Sequence, residues 1–299
     1  MKILLFGKNG QIGWELNRSL QPLGEIVALG REEADFSNPE TLRKIVREIK
    51  PDVIVNAVAY TAVDKAEAEE ELAATINSEA PGVLAEEAVR IKALLIHYST
   101  DYVFDGTKKG SYIETDEPNP VNAYGRTKLA GEQEIQSSGC DYLILRTTWV
   151  YASRGSNFLR TILRLANDHM ELRIVSDQHG APTWARNIAD ITGHVLVGAQ
   201  QERHSGRFGS GIYHLCASGK STWYDFADAI IEQAKILDTK KSIVTEKVLP
   251  IATEDYPLPA PRPKNSQLDS SLLMARFRVT MPKWRNAMKL CVDEVLEKQ

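Results

Sequence analysis

Apolar positions in the first half of the chain form short β-branched runs that alternate with longer stretches of helical period. Lys2-Ile3-Leu4-Leu5-Phe6 reads as an opening strand, with a helix near Gln11 to Leu20 and a second strand at Ile26-Val27-Ala28-Leu29. Asn38 is expected to cap a helix that has Pro39 at its first position and Glu40 in its first turn. That helix ends before Pro51, and Val53-Ile54-Val55 follows as a strand. The alanine- and glutamate-rich stretch from about Glu67 to Val89 reads as helix and Leu94 to Tyr98 as strand. Tyr124 to Gln136 then reads as helix, and Tyr142 to Leu145 as strand. Continuous apolar strands separated by helices predict a parallel sheet covered on both faces. Right-handed crossovers make such a sheet doubly wound, with its ligand crevice at the carboxyl ends of the strands.

The pattern loosens after Trp149, where proline and glycine become denser. The helices Trp223 to Leu237 and Pro282 to Leu296 lack a regular strand between them. Tyr256-Pro257-Leu258-Pro259-Ala260-Pro261-Arg262-Pro263 suits neither helix nor central strand and reads as an ordered loop over the crevice. The expected class is therefore α/β: a doubly wound, Rossmann-type parallel sheet with a smaller α/β carboxyl-terminal substrate lobe. The dinucleotide-binding unit is drawn over 1–149 plus about 184–214, and the lobe over about 150–183 and 215–299.

Composition narrows the function without naming it. A net charge of −4 over 299 residues gives no basic footprint for nucleic acid. No run reaches the roughly 20 apolar residues of a membrane span, and Met1-Lys2 leads straight into a strand without a signal-peptide layout. Cys140, Cys216 and Cys291 are too far apart for a metal pattern and odd in number, which points to buried thiols in a reducing cytoplasm. The six histidines show no ligand spacing, and His97 and His214, inside strands, read as packed residues.

Gly7-Lys8-Asn9-Gly10-Gln11-Ile12-Gly13 lies between a strand and a helix, where backbone N–H groups and the positive helix end suit a pyrophosphate. Its spacing is one residue longer than the common dinucleotide fingerprint. After the second strand, Arg31 stands where an NAD-selective site usually has an acid, and a cation suits a 2′-phosphate. NADPH is the expected coenzyme, with NADH the alternative because Glu32 and Glu33 adjoin Arg31. Asp35 and Phe36 are candidates to flank the adenine. Ala57, Val58 and Ala59 offer small residues where the third strand nears the coenzyme, and Tyr98 is counted with that site.

Tyr124 and Lys128 stand four residues apart on the expected helix, which brings their β-carbons within about 5–6 Å. A phenol is a poor base but a usable acid near neutral pH. An ammonium about 4 Å away contributes on the order of 4 kcal/mol at an effective dielectric of about 20, a downward pull of up to about 3 in pKa. Burial opposes this pull, and the Coulomb interaction is expected to win. A hydroxyl at the end of the preceding strand, Ser99 or Thr100, would hold a carbonyl beside the phenol; strand alternation lets only one of them point inward.

Together these residues resemble the extended short-chain dehydrogenase/reductase superfamily. Four stretches narrow the resemblance to the dTDP-4-dehydrorhamnose reductase family: Gly10-Gln11-x-Gly13-Trp14-Glu15-Leu16, Thr61-Ala62-Val63-Asp64, Ser99-Thr100-Asp101-Tyr102-Val103-Phe104 and Tyr124-Gly125-x-Thr127-Lys128. Arg146-Thr147-x-Trp149, Asp177-Gln178-x-Gly180-Ala181-Pro182-Thr183 and Arg262-Pro263-x-Asn265-Ser266 extend it into the second half. The resemblance implies reduction of the C4 ketone of a nucleotide-sugar, dTDP-6-deoxy-L-lyxo-4-hexulose. It makes Thr100, Tyr124 and Lys128 catalytic, with Lys128 also on the coenzyme ribose, and sets Asp101 and Trp149 against the sugar. Arg262 is expected on a substrate phosphate, which its guanidinium fork suits.

Some relatives are described as Mg2+-linked dimers in which a glutamate matching Glu15 shares the cation with downstream acids. Here Asp190 is present, but Arg186 stands where an acid is expected, so Glu15 reads as a surface helix residue and no metal is expected. A monomer or a homodimer is consistent with the sequence. The rival readings are another sugar-nucleotide reductase or epimerase, and a non-catalytic regulatory subunit of methionine adenosyltransferase.

Overall fold

The computed structural model describes residues 1–239 and 242–297. In chain order its main elements are β1 (Lys2–Phe6), α1 (Gln11–Ser19), β2 (Glu25–Leu29), α2 (Pro39–Ile49), β3 (Val53–Asn56), α3 (Ala80–Ile91) and β4 (Leu94–Thr100). There follow α4 (Ala123–Ser137), β5 (Asp141–Thr147), α5 (Phe158–Asp168), β6 (Glu171–Val175), α6 (Ala185–His204) and β7 (Gly211–His214). The last are α7 (Trp223–Leu237), β8 (Lys247–Ile251) and α8 (Trp284–Leu296). Six strands form one parallel sheet in the order β7-β5-β4-β3-β1-β2. The order reverses direction between β1 and β3, which is where a doubly wound sheet opens its crevice.

Both faces of the sheet are covered, which is why the interiors of its strands are almost wholly apolar. Ile3, Leu5, Val53, Val55, Leu94 and Ile96 pack with Leu16 of α1 and Ile188 and Val195 of α6. On the opposite face Leu4, Phe6, Ile54 and Leu95 meet Leu42 and Val46 of α2, Leu84 of α3 and Ile135 of α4. A separate core joins α5, α7 and α8 through Ile162, Phe226, Ile230, Met288 and Val292. Beside it β6 and β8 form a two-stranded parallel sheet. All three cysteines are buried. Among the described residues, no helix is long and apolar enough to cross a membrane.

Several boundaries differ from the sequence reading. The expected helix from Glu67 to Val89 is a short helix at Glu70–Ala74, a π-helical turn at Thr75–Glu79, and then α3. The π turn brings Asn77 against α4, where its Nδ2 donates to Thr127 Oγ1 (3.1 Å). Asn38 starts α2 with its main-chain carbonyl, which accepts from Thr41 N–H (3.1 Å), and its side chain makes no cap bond. β4 runs two residues past Tyr98, so Ser99 and Thr100 both belong to the strand and Thr100 is its last residue.

Candidate active site

The loop after β1 is set by close backbone approach. Gly7 adopts φ +89°, where only glycine is comfortable, and its N–H and that of Lys8 both donate to Leu29 O at the end of β2. A Cβ on Gly13 would lie 2.0 Å from Gly7 O, so α1 reaches its depth only with glycine there. Gly10 precedes α1 without a side-chain cap, which leaves first-turn amides at Gln11 and Ile12 for an anion. Ala57 and Val58 line the other side, with the Ala57 carbonyl 3.0 Å from where a Gly7 Cβ would stand. Ala59 is half-buried beyond them, and Asn9 is exposed with its amide against Gly30. These features fit a dinucleotide phosphate bridge.

At the end of β2 the charges sort themselves. Glu33 accepts from Gly30 N–H (2.8 Å) and pairs with Lys8, whose ammonium holds its carboxyl below the usual range. Arg31 remains exposed beside it. Asp35 accepts from Ser37 N–H (3.0 Å), while Phe36 is buried edge-on to Phe6 (5.4 Å) and its ring belongs to the core.

The reactive set sits where β4 meets α4. Asn122 caps α4 by accepting from Gly125 N–H (2.8 Å), which holds Tyr124 in the first turn. Tyr102 packs edge-on to the Tyr124 ring (5.5 Å). Alternation along β4 assigns the two hydroxyls. Ser99 donates to Glu132, which is in a buried ion pair with Arg146 (2.6 Å), whereas Thr100 lies beside the Tyr124 phenol. Thr100 Oγ1 also donates to Asp101 Oδ1 (3.1 Å), and the Asp101 carboxylate is buried. Burial pushes the Asp101 carboxyl up to about 6, against the pull of the Ser266 and Thr100 hydroxyls.

Lys128 departs from expectation. Its Nζ meets His97 Nε2 at 3.0 Å and donates to Tyr98 O at 2.7 Å. Burial pushes the Tyr124 phenol up to about 12; the Thr100 hydroxyl lowers it and the Asp101 charge raises it further. Burial also lowers Lys128, to about 8. The expected Coulomb depression of the phenol is thus overturned, because Lys128 is turned onto β4 and both groups are desolvated. Tyr98 contributes its carbonyl here, while its hydroxyl bonds Thr192 Oγ1 (2.7 Å) on the α6 side of the sheet.

Next to this set opens a cavity of about 660 Å3, lined by Tyr102, Trp223, Tyr256, Arg173 and Arg262 among others. Trp149 adopts φ +47° and stacks on Trp223 (3.7 Å, 12°). Arg262 donates to Asp64 (2.9 Å) and to Ala260 O (2.9 Å), so the proline-rich loop is tied to the segment after β3. Sequence reasoning missed Trp223 and Tyr256, which no spacing marks, and took His97 for packing alone.

Glu15 also requires correction. It is buried, accepting from Arg18 Nε (2.9 Å) and from Arg186 Nε and Nη2 (both 3.2 Å), and Arg186 reaches Glu294 as well. Packing of α1 on α6 takes Glu15 out of solvent, and Arg186 supplies the opposite charge. Among the described residues, no group of three or more His, Cys, Asp or Glu side chains is arranged to hold a metal ion.

A phenol and a lysine one turn apart, beside a coenzyme-type glycine loop on a doubly wound sheet, put this chain in the extended short-chain dehydrogenase/reductase class. The family described as RmlD substrate binding domain matches residues 1–297, and the chain belongs to it. It is 53% identical over 296 residues to a dTDP-4-dehydrorhamnose reductase of Burkholderia thailandensis, covering 99% of each chain. A crystal structure of a dTDP-4-dehydrorhamnose reductase from Clostridium acetobutylicum matches with TM-score 0.89 and 36% identity, over 99% of this chain and 100% of that one. Another, from Bacillus anthracis in complex with NADP, matches with TM-score 0.87 and 32% identity, over 98% and 99%.

Proposed function

We propose that this protein uses NADPH to reduce the C4 ketone of dTDP-6-deoxy-L-lyxo-4-hexulose, giving dTDP-L-rhamnose. The observation that carries this reading is the Tyr124 phenol, held neutral beside the Thr100 hydroxyl at the carboxyl end of β4. The reduced nicotinamide supplies the hydride. Thr100 and Tyr124 hold the carbonyl oxygen from two sides, and Tyr124 gives its proton to the oxygen as negative charge develops there, since an alkoxide is a stronger base than a phenolate. Gly7, Gly10 and Gly13, with the first-turn amides of α1, hold the diphosphate of the coenzyme, and Arg31 takes its 2′-phosphate. Asp101 and Trp149 face the sugar, and Arg262 takes a substrate phosphate at the cost of its Asp64 contact.

Residues 1–149 with about 184–214 serve the coenzyme, and about 150–183 with 215–299 serve the substrate. The whole set comes from one chain, so a monomer or a homodimer keeps it complete, and the nucleotide-sugar substrate suits a cytoplasmic enzyme. The test is coenzyme consumption with the 4-keto nucleotide-sugar: turnover with a higher kcat/KM for NADPH than for NADH is expected. No turnover together with tight binding to a methionine adenosyltransferase would replace this reading.

A further inference from the structure

Beneath the reactive pair lies a chain of hydrogen bonds whose donors and acceptors can be counted. Val58 N–H donates to Asn56 Oδ1 (3.0 Å), which fixes the Asn56 amide with its NH2 toward His97 Nδ1 (3.1 Å). That nitrogen must then accept, so the ring proton is on Nε2. His97 Nε2 faces Lys128 Nζ at 3.0 Å, and the lysine already donates to Tyr98 O (2.7 Å). An Nε2–H can be accepted only by an amine with a lone pair. The other tautomer requires the Asn56 amide to turn over, which sets its NH2 against Val58 N–H. Asn56 and His97 are 0% exposed and Lys128 1%, so water relieves none of these mismatches.

We propose that His97, held by Asn56, is a positioning residue that stores Lys128 as an unprotonated amine in alkaline solution, and that coenzyme binding there is coupled to uptake of one proton at Lys128 Nζ. The proton comes from solvent and occupies the lone pair that had accepted from His97. The resulting ammonium and the His97 N–H are both donors, so Lys128 leaves the ring for an acceptor oxygen. Protonation and release of the lysine are one event. Burial lowers both Lys128 and His97, in agreement with this count.

The ionisable groups around the chain do not blur it. Glu132, one turn along α4, is taken by Arg146 of β5 and by Ser99. Asp101, at about 6, is ionised throughout mildly alkaline pH, and Tyr124, at about 12, is neutral. Thr127 and Asn77, which bond each other from the π turn, are uncharged.

The inference rests on the coenzyme reading above. Its test is calorimetric binding of NADPH to the whole protein in two buffers of different ionisation enthalpy, from about pH 7 to 9.5, which counts protons directly. Wild type is expected to take up close to one proton near pH 9 and little at pH 7, with affinity falling about tenfold per pH unit above about 8. In His97→Gln the amide oxygen accepts from an ammonium, so uptake at pH 9 largely vanishes and the break in affinity moves up by at least about one pH unit. NADPH binding to wild type without proton uptake would overturn the proposal whether or not the variant folds. Unchanged uptake in His97→Gln would remove His97 from the role. Failure to bind NADPH at all would remove the coenzyme reading, and this inference with it.

Discussion

The Tyr124 hydroxyl is hydrogen-bonded to the Thr100 hydroxyl and feels the Asp101 charge, and burial keeps its proton in place to about pH 12. A group that protonated is an acid throughout the working range, and its loss removes proton donation while leaving the glycine loop intact. Tyr124→Phe is expected to lower kcat by roughly 10²–10⁴ with NADPH affinity nearly unchanged; an unchanged kcat would contradict its role. Asp101 gives a pH signature. Its carboxyl ordinarily titrates at 3.8 and rises to about 6 in the fold, so its ionisation costs stability, by at most about 3 kcal/mol. The cost is absent below about pH 4 and complete above about pH 6. Asp101→Asn is therefore expected to raise Tm at pH 7–8 but not at pH 4, while turnover falls. Of these residues, the tyrosine, lysine and threonine were legible as a motif. The partners of Lys128 were not: a histidine inside an apolar run looks like packing until strand register sets Asn56 beside it.

Among the elements, β1, the glycine loop and α1 act as one unit, because α1 starts at a depth that only Gly13 permits. Gly13→Ala brings a methyl 2.0 Å from Gly7 O, whereas Gly10→Ala brings one no closer than 3.4 Å to the same atom. The helix propensity gained at Gly13, about 1 kcal/mol, is smaller than the cost of such an overlap, about 1–3 kcal/mol. Thermal melts with coenzyme titrations are expected to find Gly13→Ala less stable and weaker in NADPH binding, and Gly10→Ala close to wild type in stability. The strands of the sheet were legible because both faces are apolar, and α7 because its pattern is regular. The π turn before α3 was not, since its cause is tertiary: Asn77 turns inward to Thr127 and to the main chain at Tyr60.

Across the whole molecule, Arg186 on α6 ties Glu15 of α1 to Glu294 of α8. Glu15 looks like a surface residue in the sequence, and only the docking of α1 on α6 buries it. Arg186→Ala leaves the carboxylate paired with Arg18, whose side chain is half-exposed, and a loss of about 1–3 kcal/mol is expected, the usual cost of leaving a buried acceptor under-satisfied. Tm is expected to fall while KM for NADPH holds. Reduction of a sugar ketone is the chemistry assigned to this assembled crevice. It is tested by supplying NADPH with deuterium at the transferred nicotinamide position together with dTDP-6-deoxy-L-lyxo-4-hexulose, and examining the product by mass spectrometry and NMR. Deuterium at C4 of dTDP-L-rhamnose with wild type, formed at least about 100-fold more slowly with Tyr124→Phe, is the predicted result. Oxidation of the coenzyme without label at C4, or no oxidation, would contradict it.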